Sequence, residues 1–103
     1  MTYLDSIAND IRGVVSPDAL PEGDASNLFR SYAVLLLAKG ESVTGEDVHN
    51  AWVAWMKEKG EQHESMVPFN ELPIATQKED SPFVLAIRQV ARERKVGGSN
   101  QSS

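Results

Sequence analysis

Apolar residues recur every three or four positions along four stretches of the chain, the spacing that places side chains on one face of an α-helix. These stretches cover residues 2–14, 25–39, 44–59 and 80–95. Most of the prolines lie between them, where they favour turns and loops. The pattern predicts an all-α fold, a compact bundle of four main helices plus one short helix.

The second stretch is apolar on nearly all sides. Leu28, Phe29, Tyr32 and residues 35–37 leave only a thin polar face. A helix of this kind is either central in a bundle or shared with a partner chain. The sequence leaves both arrangements open.

The third stretch has clear start and stop signals. Thr44 is placed to cap the helix, and Asp47 lies three residues later, as in a capping box. Val43 and Val48 stand where a hydrophobic staple closes across the first turn. Gly60 is expected to end the helix, because glycine accepts the positive φ that helix ends often require.

Residues 66–73 are bounded by prolines, and Pro68 and Pro73 predict a fixed extended segment. Asn70 is placed to start a short helix that continues to about residue 78. Ser81 and Pro82 are expected to be the N-cap and first residue of the last helix. One helical domain is predicted over residues 1–95, with a disordered tail at 96–103.

The chain of 103 residues has a net charge of −5, which argues against binding to nucleic acid or an anionic membrane surface. The start carries Asp5 and Asp10 and has no signal-peptide pattern, and the longest apolar run, 33–38, is too short to span a bilayer. We therefore expect a cytoplasmic protein. Motifs for a nucleophile elbow, a phosphate-binding loop or a dinucleotide site are absent, so we expect neither enzyme activity nor a cofactor.

Both tryptophans and both histidines lie close together in the chain. Trp52 and Trp55 share a helix face and are interpreted as core residues, the alternative being an aromatic wall on which a ligand ring stacks. His49 is interpreted as a structural residue that orients a loop, or as a donor to a ligand phosphate. His49 and His63 lack the spacing of a metal site and the chain has no cysteine, so no metal site is predicted.

Positive side chains collect near the end of the last predicted helix, at Arg88, Arg92, Arg94 and Lys95. Such a cluster is usually a solvated helix end that the helix dipole stabilises. Because Arg88 and Arg92 are four residues apart and share a face, a phosphate clamp is the alternative.

The second half of the chain resembles a known family, the ryanodine-receptor repeat (RyR) domain. The family combines a helix carrying His-Asn/Glu-x-Trp, a segment with Val-Pro-Tyr/Phe-x-x-Leu-Pro, and a final helix after an acidic turn. This chain has HNAW at 49–52, HESMVPFNELP at 63–73 and QKEDSPFVLAI at 77–87. The similarity covers about residues 46–92. The whole chain is also similar to small actinobacteriophage proteins.

The resemblance implies a non-enzymatic, phage-encoded protein that binds or sequesters a nucleotide-derived ligand. It implies that the third helix packs against the Val-Pro-Phe segment. The pocket residues it implies, with Arg88 as the phosphate partner, are His49, Asn50, Trp52, Pro68, Phe69 and Arg88. The apolar second helix supports an alternative, a protein–protein adaptor or homo-oligomer, such as a homodimer, that acts on a host protein.

Overall fold

The computed structural model describes residues 2–21 and 23–102, and the side chains of the last helix as far as Arg94. The helices are α1 (Tyr3–Val14), α2 (Ser26–Lys39), α3 (Gly45–Glu58), the single-turn α4 (Ile74–Gln77) and α5 (Ser81–Ser102). Short 3-10 turns lie at Pro17–Ala19, Gly40–Ser42, Phe69–Glu71 and Lys78–Asp80. The described residues form no strand, and the predicted all-α bundle is confirmed.

α1 begins at a capping box. The Asp5 backbone N–H donates to the Thr2 hydroxyl at 3.1 Å, and the Thr2 N–H donates to the Asp5 carboxylate. Arg30 of α2 pairs with the same carboxylate at 2.7 Å, and its hydrogen bond is the main reason that the pKa of Asp5 falls to about 2. These contacts fix the start of α1 against α2.

α2 is the central helix. It packs against α1, α3 and α5. The Tyr32 ring lies 5.5 Å from the rings of both Phe29 and Phe83, which joins α2 to α5 through an aromatic cluster. Of the two arrangements that the sequence left open for this helix, the structure contains the central one, although Val34 and Leu37 stay exposed.

α3 has the ends that its sequence predicts. Thr44 and Asp47 form a complete capping box. At the other end Gly60 has a φ of 74°, its N–H donates to the Lys57 carbonyl, and the Glu61 N–H donates to the Met56 carbonyl. This pair of bonds is a Schellman motif, which satisfies carbonyls that the helix itself leaves free.

Two predictions about the region before α5 are wrong. The short helix begins after Pro73 rather than at Asn70. Ser81 is not an N-cap, because its φ of −56° and ψ of −43° are helical and a 3-10 turn leads directly into α5. The disordered tail proposed for 96–103 stays a prediction; the backbone of α5 runs to Ser102, and the side chains beyond Arg94 lie outside the described residues.

Candidate functional site

α3 contacts the proline-bounded segment through His49. The ring nitrogen Nε2 of His49 lies 2.6 Å from the Val67 carbonyl oxygen, so Nε2 carries a proton and donates it. The Phe69 ring lies 6.0 Å from the His49 ring and rests against Gly45, where an added Cβ would be 2.9 Å from Phe69 Cζ. The predicted packing of the third helix on the Val-Pro-Phe segment is therefore confirmed.

The side chain of Gln77 also binds the proline-bounded segment. The Gln77 amide Nε2 donates to the carbonyls of Phe69 and Leu72 at 3.1 and 2.9 Å. These bonds satisfy backbone acceptors in a segment that has no sheet or long helix to pair them. The segment is held on α3 by His49 and on α4 by Gln77.

The two tryptophans have different environments. Trp55 is 6% exposed and belongs to the core, as predicted. Trp52 is only partly buried and stands between two histidine rings, 5.8 Å from His49 in a stacked arrangement and 5.4 Å from His63 edge-on. The alternative of an aromatic wall therefore fits Trp52.

A cavity of about 540 Å³ opens beside Trp52. Its volume is in the range of small-ligand sites in proteins. The lining comes from the α1–α2 loop, α2, α3, the α3–α4 loop, the residues around α4 and the start of α5. The lining residues are Asp18, Ala19, Pro21, Leu28, Tyr32, His49, Trp52, His63, Ser65, Leu72, Thr76, Glu79, Asp80, Pro82 and Phe83.

The cavity is acidic. Asp18, Glu79 and Asp80 line it, and no lysine or arginine of the described chain does. Burial raises the pKa of the Asp80 carboxyl to about 6; a charge on His49 opposes this rise, and Glu79 adds to it. The Asp80 side chain therefore ionises to a carboxylate near neutral pH, in surroundings that are partly shielded from solvent.

Tyr32 places a polar group in the same cavity. Its side chain is 1% exposed, and its hydroxyl has no hydrogen-bond partner among the described residues. Burial, together with the Asp80 charge, raises the pKa of Tyr32, so the hydroxyl stays protonated. It is available to donate or accept a hydrogen bond from whatever occupies the cavity.

The structure does not bring the six predicted pocket residues together. His49 and Trp52 line the cavity, whereas Phe69 and Arg88 line a separate groove of about 460 Å³. Asn50 and Pro68 are exposed and line neither. The ligand site implied by the resemblance stays a prediction; of its six residues, His49 and Trp52 line the cavity, and Phe69 contacts His49 from the separate groove.

The basic side chains of α5 bind other parts of the fold. Arg88 Nε donates to the Val43 carbonyl at 2.9 Å, and Arg92 Nε pairs with Glu41 at 3.1 Å. Arg88 and Arg92 do share a face, as expected, but that face holds the turn between α2 and α3. Their spacing suggested a phosphate clamp, but in the structure the two arginines bind a backbone carbonyl and a carboxylate of the protein itself.

Sequence reasoning missed Tyr32, Phe83 and Asp80 as site residues. Tyr32 and Phe83 follow the apolar spacing of their helices, which is typical of core positions; Tyr32 lies in the buried core and Phe83 packs against it, partly buried. Asp80 stands in an acidic run before a predicted helix start, where acids are common for local reasons. Nothing in the local pattern distinguishes these residues, because the cavity depends on how distant elements meet.

One family of domains matches this chain over residues 2–92. The chain belongs to that family, DUF7701, a domain of unknown function. The match to DUF7701 includes α1 and α2, which lie outside the RyR-like region. The matched range therefore includes the helical bundle and every residue that lines the cavity. No curated protein and no solved structure matched the chain.

The described residues contain neither a helix able to span a membrane nor a cluster of metal-ligating side chains. None of the helices in this part of the chain combines the length and apolar character that crossing a bilayer requires. Within the same residues, no three histidine, aspartate or glutamate side chains are grouped as metal ligands.

Proposed function

We propose that this DUF7701 domain is a non-enzymatic module that binds a small organic ligand in the cavity beside Trp52. The observation that carries the proposal is one cavity of about 540 Å³ lined both by a partly exposed indole, Trp52, and by Tyr32, a buried side chain whose hydroxyl forms no hydrogen bond with the described residues. A flat ring bound there contacts Trp52 and Phe83. Polar groups of the ligand meet Tyr32 and Asp80, which fixes its orientation.

The RyR resemblance suggests a nucleotide-derived ligand, but the base and the phosphate of such a ligand do not suit the cavity equally. A base stacking on Trp52 is compatible with the cavity. A phosphate is not favoured, because it meets Asp18, Glu79 and Asp80, and Arg88 lies in the separate groove. We therefore favour an uncharged or cationic ligand. A phage origin and a cytoplasmic location remain part of the hypothesis.

The two tryptophans serve as separate reporters for the test. The Trp55→Phe variant retains Trp52 at the cavity, and the Trp52→Phe variant retains Trp55 in the core. The probes are small aromatic compounds of three charge states: adenosine and tryptophol as neutral ligands, tryptamine as a cation, AMP and ADP-ribose as anions. A non-indole probe in the cavity changes the emission of the Trp55→Phe variant and leaves that of Trp52→Phe almost unchanged; tryptophol and tryptamine fluoresce themselves, so their binding is measured by thermal unfolding.

Thermal unfolding provides the second readout. A probe at ten times its Kd stabilises the folded state by about 1.4 kcal/mol, which raises the Tm of a small domain by several degrees. Failure of every probe to shift either Tm or the Trp52 emission at millimolar concentration overturns the proposal.

A second candidate, contact with another protein chain, is favoured by one observation. Val34 and Leu37 are three residues apart on α2 and are 52% and 54% exposed. They form a small apolar surface on the outer side of the central helix. We keep self-association or an adaptor role as the alternative function, and the two functions are compatible.

A further inference from the structure

We propose that the cavity beside Trp52 selects an organic cation, an ammonium group attached to an apolar or aromatic body. This inference rests on the proposed ligand-binding function and specifies the chemical class of the ligand. It depends on three features of the cavity: carboxylates outside any ion pair, an aromatic lining and the unpartnered hydroxyl of Tyr32.

The carboxylates of the cavity lack the cationic partners that several others in the chain have. Elsewhere in the described residues, ion pairs join Arg30 to Asp5, Lys39 to Asp47, Arg92 to Glu41 and Arg94 to Asp10. Asp18, Glu79 and Asp80 take part in no ion pair and no hydrogen bond through their carboxylates. Asp80 is also half-buried, so its charge is poorly compensated by solvent.

The nearest candidate for an internal partner of Asp80 is His49. It does not form an ion pair with Asp80, and its Nε2 is occupied by the Val67 carbonyl. His63 is exposed and accepts a hydrogen bond from the Ser65 N–H at its Nδ1. A charge on His49 lowers the pKa of the Asp80 carboxyl without forming an ion pair with it, so direct pairing of that carboxylate is left to a ligand.

The aromatic lining suits the same ligand class. Trp52, Tyr32 and Phe83 line the cavity, and the face of an aromatic ring attracts an ammonium group while its hydrocarbon surface packs against an apolar body. The Tyr32 hydroxyl adds an acceptor that lacks a partner in the described chain. An ammonium group at Asp80 and Tyr32, with its attached ring on Trp52, uses all three features at once.

The test compares three ligands with one ring system and different charges: tryptamine, tryptophol and indole-3-acetate. Their affinities are measured by calorimetry at pH 7.5, and amide NMR locates the site. We expect tryptamine to bind about ten-fold more tightly than tryptophol, with indole-3-acetate weakest. Asp80→Asn should remove most of this preference, while Glu58→Gln, which makes the same change in net charge at an exposed site outside the cavity, should not.

The outcomes separate the two proposals. Equal affinity for tryptamine and tryptophol, or an unchanged preference in Asp80→Asn, overturns cation selection and leaves ligand binding in the cavity intact. Amide chemical-shift changes that tryptamine causes away from Trp52 and Phe83 would also overturn cation selection by this cavity. Failure of all three compounds to bind overturns this inference together with the proposed function. Amide spectra of Asp80→Asn without ligand confirm that the variant is folded.

Discussion

His49 Nε2 lies 2.6 Å from the carbonyl oxygen of Val67, eighteen residues later in the chain. This hydrogen bond joins α3 to the proline-bounded segment. The same residue lines the cavity beside Trp52 and is 3% exposed. One side chain thus supports the fold and helps to shape the candidate site.

The first prediction concerns that bond. His49→Ala should lower the free energy of unfolding by about 2 kcal/mol, because the part-buried Val67 carbonyl loses its donor and the buried imidazole leaves a gap. His63→Ala is the control, since His63 is exposed and should change stability by less than about 0.5 kcal/mol. Urea unfolding measures both. Equal losses in the two variants would show that the His49 bond has no special structural role.

The second prediction concerns the close approach of Gly45 to Phe69. Gly45→Ala places a Cβ 2.9 Å from Phe69 Cζ, so the ring has to shift and stability should fall by about 1 kcal/mol. Gly13→Ala is the matched control, because it lies in α1 with no atom within 4 Å of an added Cβ. In that helix alanine should instead raise stability by about 0.5–1 kcal/mol. Changes of the same sign in both would refute the packing argument.

The third prediction is a pH dependence that arises from Asp80. Its pKa is about 6 in the folded protein and 3.8 ordinarily, so the folded state keeps a proton that the unfolded chain releases. The contribution of this group to stability is therefore highest below about pH 4 and is lost as pH rises to about 6. Asp80→Asn should raise Tm by a few degrees at neutral pH and by nothing at about pH 3.5.

His49, His63, Glu79 and Asp18 also line the cavity around Asp80. The quantity to measure is therefore the difference in Tm between wild type and Asp80→Asn at each pH. Glu58→Gln controls for the change in net charge. A difference that does not vary between pH 4 and 7 would contradict the assignment of a partly buried, proton-binding carboxylate.

The fourth prediction tests the alternative function. If Val34 and Leu37 form a contact surface, light scattering should detect association at high protein concentration, and Val34→Ser combined with Leu37→Ser should abolish it. Ile74→Ser is the control, because Ile74 is 65% exposed at a different place. A protein that stays monomeric at every concentration would exclude self-association through α2.

The fold could be read from local patterns to a large extent. The capping box of Thr44 and Asp47 and the glycine end at Gly60 involve residues within a few positions of one another, and the structure contains both. The predicted start of α5 was wrong because that prediction also used only a local pattern. Ser81 and Pro82 look like a helix start, but the preceding turn Lys78–Asp80 already supplies helical backbone.

The site depended on contacts that local patterns do not encode. Trp52 and Trp55 have the same residue type and lie on one helix face, yet only Trp55 is buried in the core. Trp55 lies among the buried residues of the core, whereas Trp52 packs against that core from the cavity, next to the rings of His49 and His63. No rule based on spacing within α3 describes that geometry.

The amino-acid sequence alone determined where the helices lie and which faces they bury, because caps and apolar spacing act over three or four residues. The tertiary structure decided that Arg88 holds a backbone carbonyl and that Tyr32, Trp52 and Asp80 share one cavity. Those relationships join positions up to 48 residues apart, Tyr32 to Asp80, and arise only when packing brings distant helices into contact.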